Sequence, residues 1–148
     1  LRPKSRGEVT LNSASPLDDP KIDPKFLSHP DDMKDMVEGY KKMMKILNKP
    51  PLSKYTSKHV YRPIDLDDDK DIEKAIREEA DTVYHPVGTC MMGKDEMAVV
   101  DERLKVHKMD GLRVVDASIM PTLVGGNTNA PTIMIGEKAS DIILEDWS

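Results

Sequence analysis

Ten residues just past the middle of the chain, Tyr84-His85-Pro86-Val87-Gly88-Thr89-Cys90-Met91-Met92-Gly93, keep neither the helical nor the strand period. They nevertheless gather an imidazole, a thiol, a proline and two glycines. Such a run is a shaped loop, where a rigid scaffold can aim a side chain and glycine lets backbone come close to a ligand. His85 is its candidate proton acceptor, because neutral imidazole is a base matched to ordinary working pH. From composition alone, a histidine here is still more often structural than catalytic. Cys90 beside His85 would suggest a thiolate nucleophile, but nothing supplies a third, orienting group. A small buried thiol is the simpler reading. Zinc ligands drawn from His59, His85, Cys90 and His107 match none of the common zinc spacings, so no metal is expected.

A second run stands apart in the same way: Asp116-Ala117-Ser118-Ile119-Met120-Pro121-Thr122-Leu123-Val124-Gly125-Gly126-Asn127-Thr128-Asn129-Ala130-Pro131-Thr132. It leads from a strand end through small residues into a helix start. A helix start presents unpaired N–H groups and about half a unit of positive charge, which favours a phosphate or negative charge developing on a ring. The plainer alternative is that Asn127 and Asn129 only cap and turn.

The elements that must hold these runs follow from periodicity. Met33, Met36, Val37, Tyr40, Met43, Met44 and Leu47 recur at three- and four-residue steps and predict one amphipathic helix. Ser28 with Asp31 resembles its capping box, and Pro50-Pro51 stops it. A shorter helix is expected from the acidic run Asp67-Asp68-Asp69, turning Ile72, Ala75, Ile76 and Ala80 inward. That acidic run lacks the glycine and glutamate spacing of a calcium loop. Glu8-Val9-Thr10-Leu11-Asn12 alternates like a half-buried strand, and Pro16, Pro20 and Pro24 make residues 15–28 an extended wrap. Short strands are expected at Ala98-Val99-Val100, Arg103-Leu104-Lys105-Val106-His107 and Leu112-Arg113-Val114-Val115, with a turn at Asp110-Gly111. A last helix begins near Pro131, with Asn129 as its cap and Ile133, Ile135, Ala139, Ile142 and Ile143 apolar. The class is α+β, a small and mostly antiparallel sheet flanked by helices.

With 148 residues the chain has the size of one domain, enough to bury a core without disulfides or metals. No stretch approaches the roughly 18 apolar residues of a membrane helix. The 27 acidic and 22 basic side chains are interspersed, which points away from nucleic acid as a partner. A single cysteine agrees with a reducing compartment, and a cytoplasmic location is the expectation. The opening Leu1-Arg2-Pro3-Lys4-Ser5 has neither an initiator Met nor a signal-peptide core, which suggests a start cut from a longer chain.

YHPVGTCMMG, then GLRVVDASIMP, then GGNTNAPTIMIGEKASDII together resemble the C-terminal part of the glucose-methanol-choline oxidoreductases in both order and spacing. SRGEVTLNSASPLDDPKID and the helix after it are similar too, so the likeness spans nearly the whole chain. Within the family the choline dehydrogenase and alcohol dehydrogenase branch is the most similar. The resemblance implies FAD as cofactor and a small alcohol as substrate, with a histidine taking the hydroxyl proton while hydride passes to the flavin. His85 matches that histidine. Asn129 matches a second position that holds His or Asn, and Asn127 is the competing assignment.

By the same resemblance, Asp116 and Ala117 line the cofactor's diphosphate and ribityl region. Asn127, Asn129, Ala130, Pro131 and Thr132 approach the flavin, and Tyr84 and Val87 shape the substrate pocket. Residues 1–108 correspond to a substrate-binding domain, and 109–148 to a segment completing the FAD-binding domain. The family's GxGxxG turn is not in this sequence, so the implied partner is an N-terminal FAD-binding domain. The chain alone is expected to bind FAD weakly or not at all and to be inactive. Apolar surface left by that domain could pair copies into homo-oligomers. The full-length enzyme could meet a membrane through its electron acceptor. The alternative is a stand-alone binding or interaction module derived from such an enzyme.

Overall fold

The computed structural model describes residues 2–55 and 63–148; His59 lies outside the described residues. The elements are β1 (Glu8–Thr10), β2 (Lys21–Asp23), α1 (Pro30–Leu47), α2 (Asp69–Glu79) and α3 (Asn129–Trp147), with 3-10 turns at Leu52–Lys54 and Ala117–Ile119. β1 and β2 pair as a two-stranded antiparallel sheet, which with the helices makes the α+β class expected. Among the described residues no helix is long and apolar enough to cross a membrane.

Two compact units form. One contains Lys4–Gly7 and Asp23–Thr82, the other Glu8–Ile22 and Val83–Ser148 with residues 2–3. In the first, α1 and α2 close on each other through Met33, Val37, Ile72 and Ile76, with Leu27, Tyr40 and Ile64 packed alongside. The three-and-four spacing of these residues puts them on one face of each helix. Met36 and Met43 fall off that face and are exposed. Ala80 ends α2 at an exposed position rather than turning inward. The expected Ser28–Asp31 box does not form. Instead His29 caps α1, its Nδ1 accepting from the Asp31 N–H at 3.2 Å, because Pro30 occupies the first helical position. Asp68 caps α2, accepting from the Lys70 N–H at 2.9 Å.

Asp32 is the buried carboxylate of this unit, 8 % exposed. It accepts from the Lys4 N–H at 2.7 Å, from the Ser5 N–H at 2.8 Å and from the Ser5 hydroxyl, tying the incoming chain to the start of α1. The Lys4 N–H and the Ser5 hydroxyl hold its carboxyl down at about 2, against an ordinary value of 3.8. A carboxyl lowered by folding stabilises the fold above its unfolded pKa, and the effect is lost as pH falls from about 4 through 2. Asp32→Asn turns an amide donor toward one of these donors. It is expected to cost about 2 kcal/mol at neutral pH, lowering Tm by on the order of 5 °C. The gap between variant and parent should close toward pH 2, as thermal melts at both pH values would show.

In the second unit the core is Val100, Leu104, Ile119, Met120, Ile135, Ala139 and Ile142. The strands expected over 98–115 appear as isolated pairs, Met92 with Val100, Val100 with Val106 and Lys105 with Arg113. Leu104 and Lys108 take left-handed φ of 65° and 62°, which interrupts the extended backbone a ladder needs. β1 is exposed along its length rather than half buried, and its partner β2 lies inside the proline-rich wrap.

Candidate functional site

The candidate site residues from Tyr84 to Thr132 lie in the second unit. Their loop begins under backbone constraint. Tyr84 takes a left-handed φ of 60°, which a non-glycine residue adopts only when its surroundings hold it there, and it directly precedes His85. Gly88 follows at φ 89°, a left-handed conformation that suits glycine, and a Cβ built on it would make only ordinary contact with the Met120 carbonyl at 3.4 Å. The Met91 N–H then returns to the Gly88 carbonyl at 3.2 Å.

Backbone bonds lay this loop along the second motif. The Cys90 N–H donates to the Ser118 carbonyl at 3.0 Å and the Met92 N–H to that of Ile119 at 2.8 Å. On its other side the Val99 N–H donates to Met91 at 2.9 Å and the Gly93 N–H to Val100 at 3.0 Å. His107 Nε2 meets the Gly93 carbonyl at 3.0 Å. Val87 and Ala117 pack on the core that also seats α3. Three motifs scattered over some fifty residues therefore meet around one apolar cluster.

The turn at Ala117–Ile119 is built by Asp116, whose Oδ1 accepts from the Ser118 N–H at 2.7 Å. The carboxylate thus shapes the turn that carries Ala117. The roles of His107 and of the Tyr84 backbone were not legible in the sequence, because both depend on chain-distant packing.

α3 starts one turn short of the usual equipment. Thr128 precedes it without a side-chain cap bond, and no acidic residue stands in its first turn. Asn129 is the first helical residue, correcting the expectation that it caps. The first-turn N–H groups of Asn129 and Ala130 have no partner four residues earlier within the helix, and Pro131 has no N–H. Thr132 is committed to the helix itself, its hydroxyl donating to the Thr128 carbonyl at 2.7 Å. Asn127, Asn129 and His85 are exposed, and among the described residues their side chains make no hydrogen bond. His85 and Asn129 do not bond each other. Cys90 is a free, half-buried thiol. Among the described residues no three His, Cys, Asp or Glu side chains converge as a metal site would require.

The arrangement offers donors and one fixed positive charge: two asparagine amides, the open N–H groups of a helix start, and the Arg2 guanidinium against Gly125. Together they suit an uncharged or electron-rich oxygen-bearing ring edge. The exposed imidazole on the neighbouring loop adds a proton acceptor.

The family model described as GMC oxidoreductase matches residues 3–136. An alcohol dehydrogenase [acceptor] of Pseudomonas putida is 51 % identical over 144 residues, 97 % of this chain and 26 % of that protein. An oxygen-dependent choline dehydrogenase of Cronobacter sakazakii is 45 % identical over 143 residues, again 97 % of this chain and 26 % of the relative. A solved structure of Aspergillus oryzae formate oxidase, concerned with modification of its FAD, superposes with a TM-score of 0.87 at 34 % identity, covering 95 % of this chain and 25 % of that one. The chain spans about a quarter of the length of the curated relatives it matches. The matched sequence runs through the histidine loop, the Asp116 turn and the start of α3, and the chain belongs to the GMC oxidoreductase family, as its C-terminal domain.

Proposed function

We propose that this chain is the substrate-side part of an FAD-dependent oxidoreductase acting on a small alcohol. FAD, when bound, supplies the hydride acceptor. His85 takes the proton from the substrate hydroxyl at an imidazole nitrogen, and its exposed, unbonded ring is free to do so. The Asn129 amide cannot take a proton, but it donates to the substrate oxygen and holds the alcohol in line. The N–H groups that open α3, with no acidic residue in that first turn, would hold the electron-rich edge of the ring. The Ala117 backbone, held by Asp116, borders the remainder of the cofactor, and Tyr84 and Val87 border the substrate. Residues 109–148 complete an FAD-binding domain whose larger part is N-terminal. Choline and other alcohols are acted on by relatives, and the choice among them rests with residues beyond this segment.

The observation that carries this reading is the pair of backbone bonds from Cys90 and Met92 to the Asp116 turn. They bring a proton acceptor and an uncapped helix start onto a single core. The test is direct: the isolated chain, shown to be folded by circular dichroism, is mixed with FAD and passed through gel filtration. Weak or no flavin retention and no alcohol-dependent bleaching are expected, because the nucleotide grip is elsewhere. Stoichiometric yellow protein would overturn the division of labour and favour a stand-alone binding module.

A further inference from the structure

α3 ends in a way that its own sequence disfavours. Its last turn carries Glu145 and Asp146 and no basic residue, so two negative charges face the negative end of the helix dipole. The remedy comes from the hairpin-like segment at 103–113. Arg103 donates to Asp146 Oδ1 at 2.6 Å, to Glu145 at 3.3 Å and to the Ile142 carbonyl at 3.1 Å. Lys105 lies 2.7 Å from Asp146 Oδ2, and Arg113 bonds the same oxygen. Arg113 also donates from Nε to the Arg103 carbonyl at 3.2 Å, which stiffens the segment that supplies the charges. Lys105 and Arg103 hold the Asp146 carboxyl at about 2, so it stays ionised across the working range.

The same segment is bonded toward the histidine loop. Val106 pairs with Val100, the His107 N–H donates to Val99 at 2.9 Å, and Val99 in turn donates to Met91. α3 and the His85 loop are therefore registered to one segment by two routes. The apolar seat of Ile135, Ala139 and Ile142 is close-packed but not directional. The charge-assisted bonds at Asp146 are directional and add a fixed axial register.

We propose that Asp146 is a positioning residue: by locking the C-terminal end of α3 to Arg103, Lys105 and Arg113, it sets where the other end of the helix presents Asn129 relative to His85. The inference rests on the reading of those two residues given above. α3 is a single helix roughly 28 Å long, so a shift at Asp146 is delivered largely undamped to Asn129.

The experiment uses the complete enzyme that carries this segment, as parent, Asp146→Asn and Asp146→Glu. Stopped-flow flavin reduction by alcohol gives the limiting rate and the substrate Kd separately. A second readout is the distance distribution between spin labels on Thr89→Cys and Ile133→Cys, placed in a Cys90→Ser background. Asp146→Asn is expected to broaden that distribution and to slow the limiting rate on the order of tenfold at unchanged Kd, since small misplacements at a reacting centre are costly. Asp146→Glu restores most of both. An unbroadened distribution overturns the lock whatever the kinetics. Broadening without a rate loss, in an enzyme that His85→Ala inactivates, overturns its part in the reaction. If His85→Ala is also harmless, the failure belongs to the reading of the site, and the distance measurement alone decides the lock.

Discussion

His85→Ala, placed in the complete enzyme that carries this segment, is expected to slow flavin reduction by alcohol on the order of 10²–10⁴-fold. The magnitude is that of removing a positioned base from a proton transfer. Among the described candidate site residues none can substitute: Asn129 is an amide, and the Asp116 carboxylate is engaged with the Ser118 N–H. The folded state should barely notice. The imidazole is exposed and unbonded among the described residues, and changes at such positions stay within about 0.5 kcal/mol. Stopped-flow bleaching at saturating alcohol, with a thermal melt of the same sample, measures both. A loss of activity that follows a loss of Tm would assign His85 a structural role. An intact Tm with a rate near that of the parent would remove it from the chemistry altogether.

Asn129→Asp separates function from stability more sharply, because the two are expected to move in opposite directions. A carboxylate at the first position of α3, where no acidic residue now stands, is favourable to the helix dipole by about 0.3–1 kcal/mol. Tm should hold or rise. The same carboxylate cannot donate to a substrate oxygen and repels negative charge developing on it. Losing one such donor costs roughly 10²–10³ in rate, and flavin reduction should fall accordingly. A helix start left without a cap or an acidic residue is a small sacrifice of stability, and a ligand-facing role gives it a reason. If Asn129→Asp is as active as the parent, Asn127 becomes the position to test.

Much of the framework was legible because it depends on near neighbours. The stripe through Met33, Val37 and Tyr40 announced α1, and Pro50-Pro51 announced its end. The run into Ile72 and Ile76 announced α2 in the same way, starting near the acidic run in which the structure makes Asp68 the cap. The chemistry of the site was legible as residue types: an imidazole and glycines in a loop without period, then asparagines and small residues at a helix start. Local patterns also misled where two of them competed. Ser28 and Asp31 spelled a capping box, but Pro30 moved the helix start by one residue and handed the cap to His29. Asn129 looked like a cap and became the first helical residue. β1 alternated as a half-buried strand should, yet no layer covers either of its faces within its unit.

What the amino-acid order determined by itself was therefore the helices, the class of fold and the kinds of side chain available for chemistry. Each of those is written in contacts no more than four residues apart, where the energy of a turn or a stripe is decided locally. Only the tertiary structure decided that Met92 bonds Ile119, that His107 holds Gly93, and that the acidic end of α3 is answered by Arg103, Lys105 and Arg113. These contacts join residues from 14 to 43 positions apart. Their formation waits on closure of the chain around a shared apolar core, which no short window of sequence encodes.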